Sequence, residues 1–118
     1  MWSQAVHNAG VFATGYLVGG EAYLYEEPSP AIVGARDGWT ALAAKHGCSL
    51  PAVALRFASV PKVVERVLLG VKSPEEVRLN AETIKEAAAV PAAIWADAKA
   101  AGLLPQDLPV PEGGGAKL

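Results

Sequence analysis

The residues of this chain that are best suited to chemistry lie at 67–80, where an apolar run passes through a glycine and a lysine into the start of a helix. Ser73 is typical of an N-cap and Pro74 of the first helical position, and Glu76 completes a capping-box pattern. The free backbone N–H groups and the positive end of the helix dipole favour an anion at such a turn. This segment therefore predicts a phosphate site between a strand and a helix.

Reactive side chains elsewhere carry weaker signals. His7 and His46 have no partners at metal-ligand spacing, so no metal site is predicted. Cys48 is the single cysteine, which excludes an internal disulfide and indicates a reducing compartment. We expect Cys48 to be an ordinary thiol rather than a nucleophile, and the acidic pair at 26–27 to lie in a loop. The three tryptophans are expected to be packing anchors.

The overall composition is that of one small globular domain. The chain has 118 residues, of which 52% are hydrophobic, and a formal net charge of −2. Its basic residues are scattered, which argues against a nucleic-acid surface. The N-terminal segment is uncharged, but polar residues and glycines interrupt it, so neither an export signal nor a membrane span is predicted. We therefore expect a soluble cytoplasmic protein.

The elements that position the 67–80 segment follow from hydrophobic spacing and from turn residues. Residues 4–13 are expected to form a strand that ends in a glycine-rich loop, and residues 63–69 a second strand. Glycines placed just after two apolar runs indicate helix ends. The predicted helices lie at 30–46, 51–59, 74–88 and 91–101. Gly47 is expected to end the first of these helices and Gly102 the last.

The helix that begins at residue 74 is expected to bury one face and expose the other. Arg78 and Glu82 fall on the solvent side, where they can pair at a spacing of i and i+4. The apolar face consists of Val77, Ala81, Ile84 and Ala88.

The two predicted strands are separated by about forty mostly helical residues, a length that indicates a right-handed parallel crossover. Parallel strands are normally buried on both faces. Two strands cannot form a closed sheet, so the sequence predicts an α/β unit that is incomplete by itself.

Three segments, at 10–17, 70–80 and 91–105, resemble in order and spacing the C-terminal third of an aldo-keto reductase. The resemblance is to the sugar- and pyridoxal-oxidising branch, which includes fucose, threo-aldose and pyridoxal dehydrogenases. It implies a TIM (β/α)8 barrel with the active site at the C-terminal ends of the strands. The chain would then be a C-terminal fragment, with a partial barrel at 1–106 and a flexible tail at 107–118.

The resemblance also implies that the loops after the last two barrel strands bind NAD or NADP. Glu76 stands where the family often has arginine or glutamine, and its carboxylate would repel a 2′-phosphate, which favours NAD, while Lys72 acts in the opposite direction. Glu76 can also serve only as the capping partner of Ser73. Leu79 replaces a family acidic residue, a departure that affects one adenine contact. The residues carried over by position are Phe12, Ala13, Thr14 and Gly15 for the pyrophosphate, Gly70, Val71 and Lys72 for the adenosine ribose, and Glu76 and Asn80 for the ribose and adenine.

No catalytic residue is predicted, because the family's aspartate, tyrosine, lysine and histidine lie in the first half of the barrel. Tyr16, Tyr23 and Tyr25 do not match the catalytic tyrosine. We expect the cofactor-binding portion of an oxidoreductase for sugar or pyridoxal-like alcohols and aldehydes, inactive unless another chain supplies the first six strands. Two alternatives stay open: a non-catalytic truncated product that associates through exposed strand edges, and a small nucleotide-binding module.

Overall fold

A computed structural model describes residues 5–21, 23–59, 61 and 63–111 of the chain. Within them the fold is a small mixed α/β domain with a parallel sheet, as the sequence predicts. Trp2 and residues 112–118 of the predicted tail lie outside the described residues. The elements are β1 (Val6–Ala9), a 3₁₀ helix (Ala13–Val18), α1 (Pro30–Lys45), α2 (Leu50–Ala58), β2 (Val64–Leu68), α3 (Pro74–Ala88) and α4 (Ala93–Ala100).

The first strand is shorter than predicted. It ends at Ala9, and residues 10–13 turn into the 3₁₀ helix instead of extending the strand to residue 13. Gly10 and Gly15 have φ angles of +72° and +94°, a left-handed conformation that glycine adopts without steric penalty and that an extended strand does not tolerate. The glycine-rich loop therefore begins four residues earlier than the hydrophobic pattern indicates.

The helix ends follow local capping chemistry, as predicted. Gly47 has φ +71° and its N–H donates to the Ala44 carbonyl, while the Cys48 N–H donates to the Ala43 carbonyl. This pair of hydrogen bonds is a Schellman motif, and the residues after α4 form the same motif with Gly102. At the other end of α4, the helix begins at Ala93 rather than at Pro91.

The core is helical and is centred on α2 and α4. Trp95 and Ile94 of α4 are fully buried and belong to the same buried cluster as Ala52, Val53 and Leu55 of α2. The rings of Trp39 and Phe57 lie 6.3 Å and 5.8 Å from the Trp95 ring. Trp39 and Trp95 are thus the packing anchors that the sequence predicts.

One face of α3 is not covered as predicted. Val77 and Ile84 are 53% and 38% exposed, and Ala87 is instead the buried residue of this helix. No element in the described part of the chain packs on the Val77 side. The predicted pair of Arg78 with Glu82 is also wrong, because Arg78 forms an ion pair with Glu75.

Polar contacts fasten the ends of the helices to one another. The Glu86 carboxylate accepts hydrogen bonds from the Ser49 N–H at 2.6 Å and from the Ser49 hydroxyl at 2.8 Å, which joins the end of α3 to the start of α2. Asp97 of α4 contacts Lys45 and His46 at the end of α1, at 3.3 Å and 2.8 Å.

Among the described residues, no helix combines the length and the apolar character needed to cross a bilayer.

Candidate functional site

The two predicted binding loops leave the sheet side by side. β1 and β2 are parallel, and Ala9 pairs with Leu68 at their carboxyl ends. Neighbouring strands are about 4.8 Å apart, so the turn at 10–15 and the loop at 69–72 start next to each other. The sheet thus brings the two halves of the predicted site to one edge, as a parallel crossover requires.

The turn at 12–15 uses part of its backbone internally. The Ala13 N–H donates to the Gly10 carbonyl at 3.0 Å, and the Gly15 N–H donates to the Phe12 carbonyl at 3.1 Å. Ala13 has φ +50°, so it occupies the left-handed region without being glycine. The Phe12 side chain packs against the core, and only the backbone of Thr14 is described. A pyrophosphate at this turn would therefore compete with N–H groups that already have acceptors.

The start of α3 is capped in a way that differs slightly from the predicted capping box. The Ser73 hydroxyl accepts a hydrogen bond from the Glu76 N–H at 3.2 Å, as expected. The Glu76 carboxylate, however, accepts from the N–H of Lys72 instead of from that of Ser73. In a reciprocal capping box the carboxylate would accept from the N–H of the N-cap residue itself. Here it accepts from the residue before the N-cap, and it still satisfies a backbone donor at the helix entrance.

The electrostatics of this helix start differ from those of a simple phosphate site. Glu75 and Glu76 already place negative charge in the first turn, where the helix dipole favours it. Lys72 is the only cation of the 69–72 loop. Asn80 lies one turn beyond Glu76 on the same side of the helix and is half-buried. The Glu76 carboxylate can accept hydrogen bonds from a ribose diol, and the Asn80 amide can pair with the edge of a base. These two groups suit a nucleoside better than a phosphate.

The predicted cofactor residues whose side chains the structure describes differ in exposure, and Phe12, Ala13 and Gly15 are half-buried. Residues 70–76 are exposed throughout, and Asn80 is the part of this segment that the fold half-buries. Those of the nine whose side chains are described line neither of two cavities, of about 500 and 240 Å³, in the structure. The smaller cavity lies between β2 and residues of α2 and α3.

The larger cavity was not foreseen from the sequence. Tyr16 and Arg36, which line it, were not singled out as binding residues because they are 20 positions apart and belong to no motif. The available signal was an arginine set among the apolar positions of α1. The position of Tyr16 immediately after Gly15 in the glycine-rich loop was a second signal.

Cys48 lies apart from both surfaces. Burial raises the pKa of the Cys48 thiol, and the nearby negative charge of Glu86 raises this pKa further. Its Sγ donates to the Ala43 carbonyl. A thiol that stays protonated at neutral pH is a poor nucleophile, so the structure offers no activation of this residue.

Comparison of the chain with family models, with curated proteins and with solved structures gives no match in any of the three.

Proposed function

We propose that this chain forms the last two strands of an aldo-keto reductase-type TIM barrel and contributes loops that hold the adenosine half of NAD(P). The observation that carries the proposal is the parallel pairing of β1 with β2, because it sets the turn at 10–15 and the loop at 69–72 side by side. In α/β barrels, binding residues lie on the loops that follow the carboxyl ends of the strands.

The uncovered apolar surface of the domain supports a partial barrel. Val6 on β1, Leu68 on β2 and Val77 and Ile84 on α3 are all between 38% and 53% exposed. Parallel strands and their crossover helices are normally covered on both sides. Further strands and helices, from polypeptide outside the described residues, would bury these positions and would carry the catalytic aspartate, tyrosine, lysine and histidine.

The chemistry at the start of α3 favours the adenosine ribose as the bound group. A ribose diol can donate to the Glu76 carboxylate, and Asn80 offers both a donor and an acceptor to adenine. A 2′-phosphate would meet the negative charges of Glu75 and Glu76, which favours NAD over NADP. The full enzyme would oxidise or reduce sugar or pyridoxal-like alcohols and aldehydes, and this chain alone would be inactive.

Thermal unfolding of the purified chain with NADH or NADPH tests the proposal. Ligand at ten times its dissociation constant should stabilise the folded state by about 1.4 kcal/mol, which raises Tm by several degrees. Asn80→Ala should remove most of this shift. Lys85→Ala, on the solvent side of the same helix, is the matched control and should keep it.

Glu76→Gln separates the two cofactors. Removing this carboxylate should bring the NADPH shift closer to the NADH shift, because one repulsive charge near a 2′-phosphate is gone. A transition that neither dinucleotide moves at millimolar concentration, in a chain that unfolds cooperatively, would contradict the assignment.

A second candidate function is association through strand edges. In the described part of the chain β1 and β2 pair only with each other, so each has one unpaired edge. Sedimentation of the chain over a range of concentrations tests this candidate, which predicts a concentration-dependent oligomer.

A further inference from the structure

The 500 Å³ cavity lies next to the turn at 12–15, between β1 and the 3₁₀ helix on one side and α1 and α2 on the other. Its volume falls in the range of small-molecule sites. Its walls are mainly aromatic and aliphatic side chains, among them Trp39, Val53, Phe57 and Trp95. An apolar body of one or two fused rings would therefore be the part of a ligand that these walls accept.

A tyrosine in the wall of this cavity carries a buried hydroxyl that has no partner among the described residues. Tyr16 is 2% exposed, and its Oη has no hydrogen-bond partner among the described residues. Its ring is fixed by the Arg36 guanidinium 4.2 Å from the ring centroid and by the Tyr23 ring at 5.7 Å. Buried hydroxyls nearly always have a partner, so this O–H is an unsatisfied donor among the described residues.

Arg36 supplies the charge of the cavity. It is the only charged residue that lines the cavity within the described part of the chain. One guanidinium N–H donates to the Gly20 carbonyl at 3.3 Å, and no carboxylate forms an ion pair with Arg36 among the described residues. A guanidinium with free N–H groups next to an unpartnered hydroxyl is suited to a planar anion such as a carboxylate.

We propose that this cavity binds a small aromatic carboxylate, with its rings against the wall that Trp39, Phe57 and Trp95 form and its carboxylate on Tyr16 Oη and Arg36. The site uses none of the nine residues of the dinucleotide surface. The two proposals can therefore fail independently.

Calorimetric titration with 2-naphthoate, compared with the neutral 2-naphthalenemethanol, tests the site on the full chain. The carboxylate should bind at least about tenfold more tightly, since a charge-assisted hydrogen bond contributes that much. Binding of naphthoate should also shift the indole NMR signals of Trp39 and Trp95, which locates the ligand in this cavity.

Two variants and one control assign the contacts. Tyr16→Phe, which keeps the ring and removes only the unpartnered hydroxyl, should weaken naphthoate binding by about fivefold to tenfold. Arg36→Gln should abolish the preference for the acid over the alcohol. If this variant fails to fold, Arg36→Lys takes its place and should keep only part of the preference. Arg78→Gln removes an exposed arginine that pairs with Glu75, and should bind as the wild type does.

Several results would overturn the proposal. Equal affinity for acid and alcohol would show a merely apolar cavity, and unchanged affinity in the Tyr16→Phe and Arg36→Gln variants would place the ligand elsewhere. If millimolar naphthoate has no effect while the indole signals of Trp39 and Trp95 change with protein concentration, the cavity is instead covered by a second copy of the chain.

Discussion

Replacing Glu86 with alanine should lower the free energy of unfolding by about 2–3 kcal/mol, because one charged acceptor serves two donors of Ser49. The two hydrogen bonds are 2.6 and 2.8 Å long and join residues 37 positions apart in the chain. Each hydrogen bond to a charged group contributes about 1.5–3 kcal/mol. The two share one half-buried carboxylate, so their contributions should not add fully.

Ser49 is also the N-cap of α2, and its hydroxyl accepts from the Ala52 N–H at 3.4 Å. The negative charge of Glu86 therefore lies at the positive end of the α2 dipole, where it is favourable. A loss of 2–3 kcal/mol is a large part of the total stability of a small domain, which is about 5–15 kcal/mol. Tm should fall by about 10 °C or more.

Urea unfolding followed by circular dichroism measures the effect. Glu82→Ala is the matched control, because Glu82 is exposed on the same helix. Glu86→Gln keeps one acceptor oxygen and should lose less stability than Glu86→Ala. It should also lower the pKa of Cys48, because the Glu86 charge raises that pKa, and alkylation of the thiol near pH 8 should become faster. If Glu86→Ala and Glu82→Ala agree within about 0.5 kcal/mol, the Ser49 contact does not stabilise the fold.

Two further predictions concern pH and backbone entropy. The hydrogen bond from His46, and next that from Lys45, lower the pKa of Asp97; the ionised form therefore stabilises the fold above the unfolded pKa of about 3.9. Wild type should lose its Tm advantage over Asp97→Asn as the pH falls below about 4 and through the folded pKa, and an advantage that persists at pH 2 would refute the assignment. Gly34→Ala should stabilise α1 by about 0.5–1 kcal/mol, because an added Cβ has no atom within 4 Å. Gly38→Ala should gain less in the same urea assay, since its Cβ would lie 3.0 Å from Leu103 Cδ2; equal gains would contradict the packing argument.

The elements that the sequence predicts well are those set by neighbours a few residues away. Ser73 caps α3 and Gly47 ends α1, because a capping hydroxyl or a left-handed glycine acts within four residues of the helix end. The parallel pairing of β1 with β2 also follows from the length of the helical connection between them.

The features that the sequence does not reveal depend on distant parts of the chain. The exposed face of α3 has the spacing of a buried face, and only the absence of an element packed on Val77 within the described residues makes it exposed. The His46–Asp97 contact joins residues 51 positions apart. The Arg36 guanidinium of α1 lies over the Tyr16 ring of the 3₁₀ helix, 20 positions away in the chain, and no local pattern encodes this contact.

For the candidate site, the sequence predicts which loops lie together but not how their polar groups are used. The strand order brings the turn at 10–15 next to the loop at 69–72. The Glu76 carboxylate accepts from the Lys72 N–H because of the path of the chain before the helix. This hydrogen bond changes which backbone N–H groups remain for a ligand.

The location of the core away from the sheet has a consequence for local opening of the molecule. The main buried cluster comes from the helices and from Val90, two residues after α3, with Ala52, Leu55, Ala87 and Trp95 among its members, whereas β1 is exposed at three of its four positions. Segments with few buried apolar contacts exchange their amide hydrogens through small fluctuations, and packed helices exchange only through global unfolding. The sheet edge and its two loops should therefore form a separate, weaker cooperative unit, able to rearrange around an incoming group while α2 and α4 keep their packing.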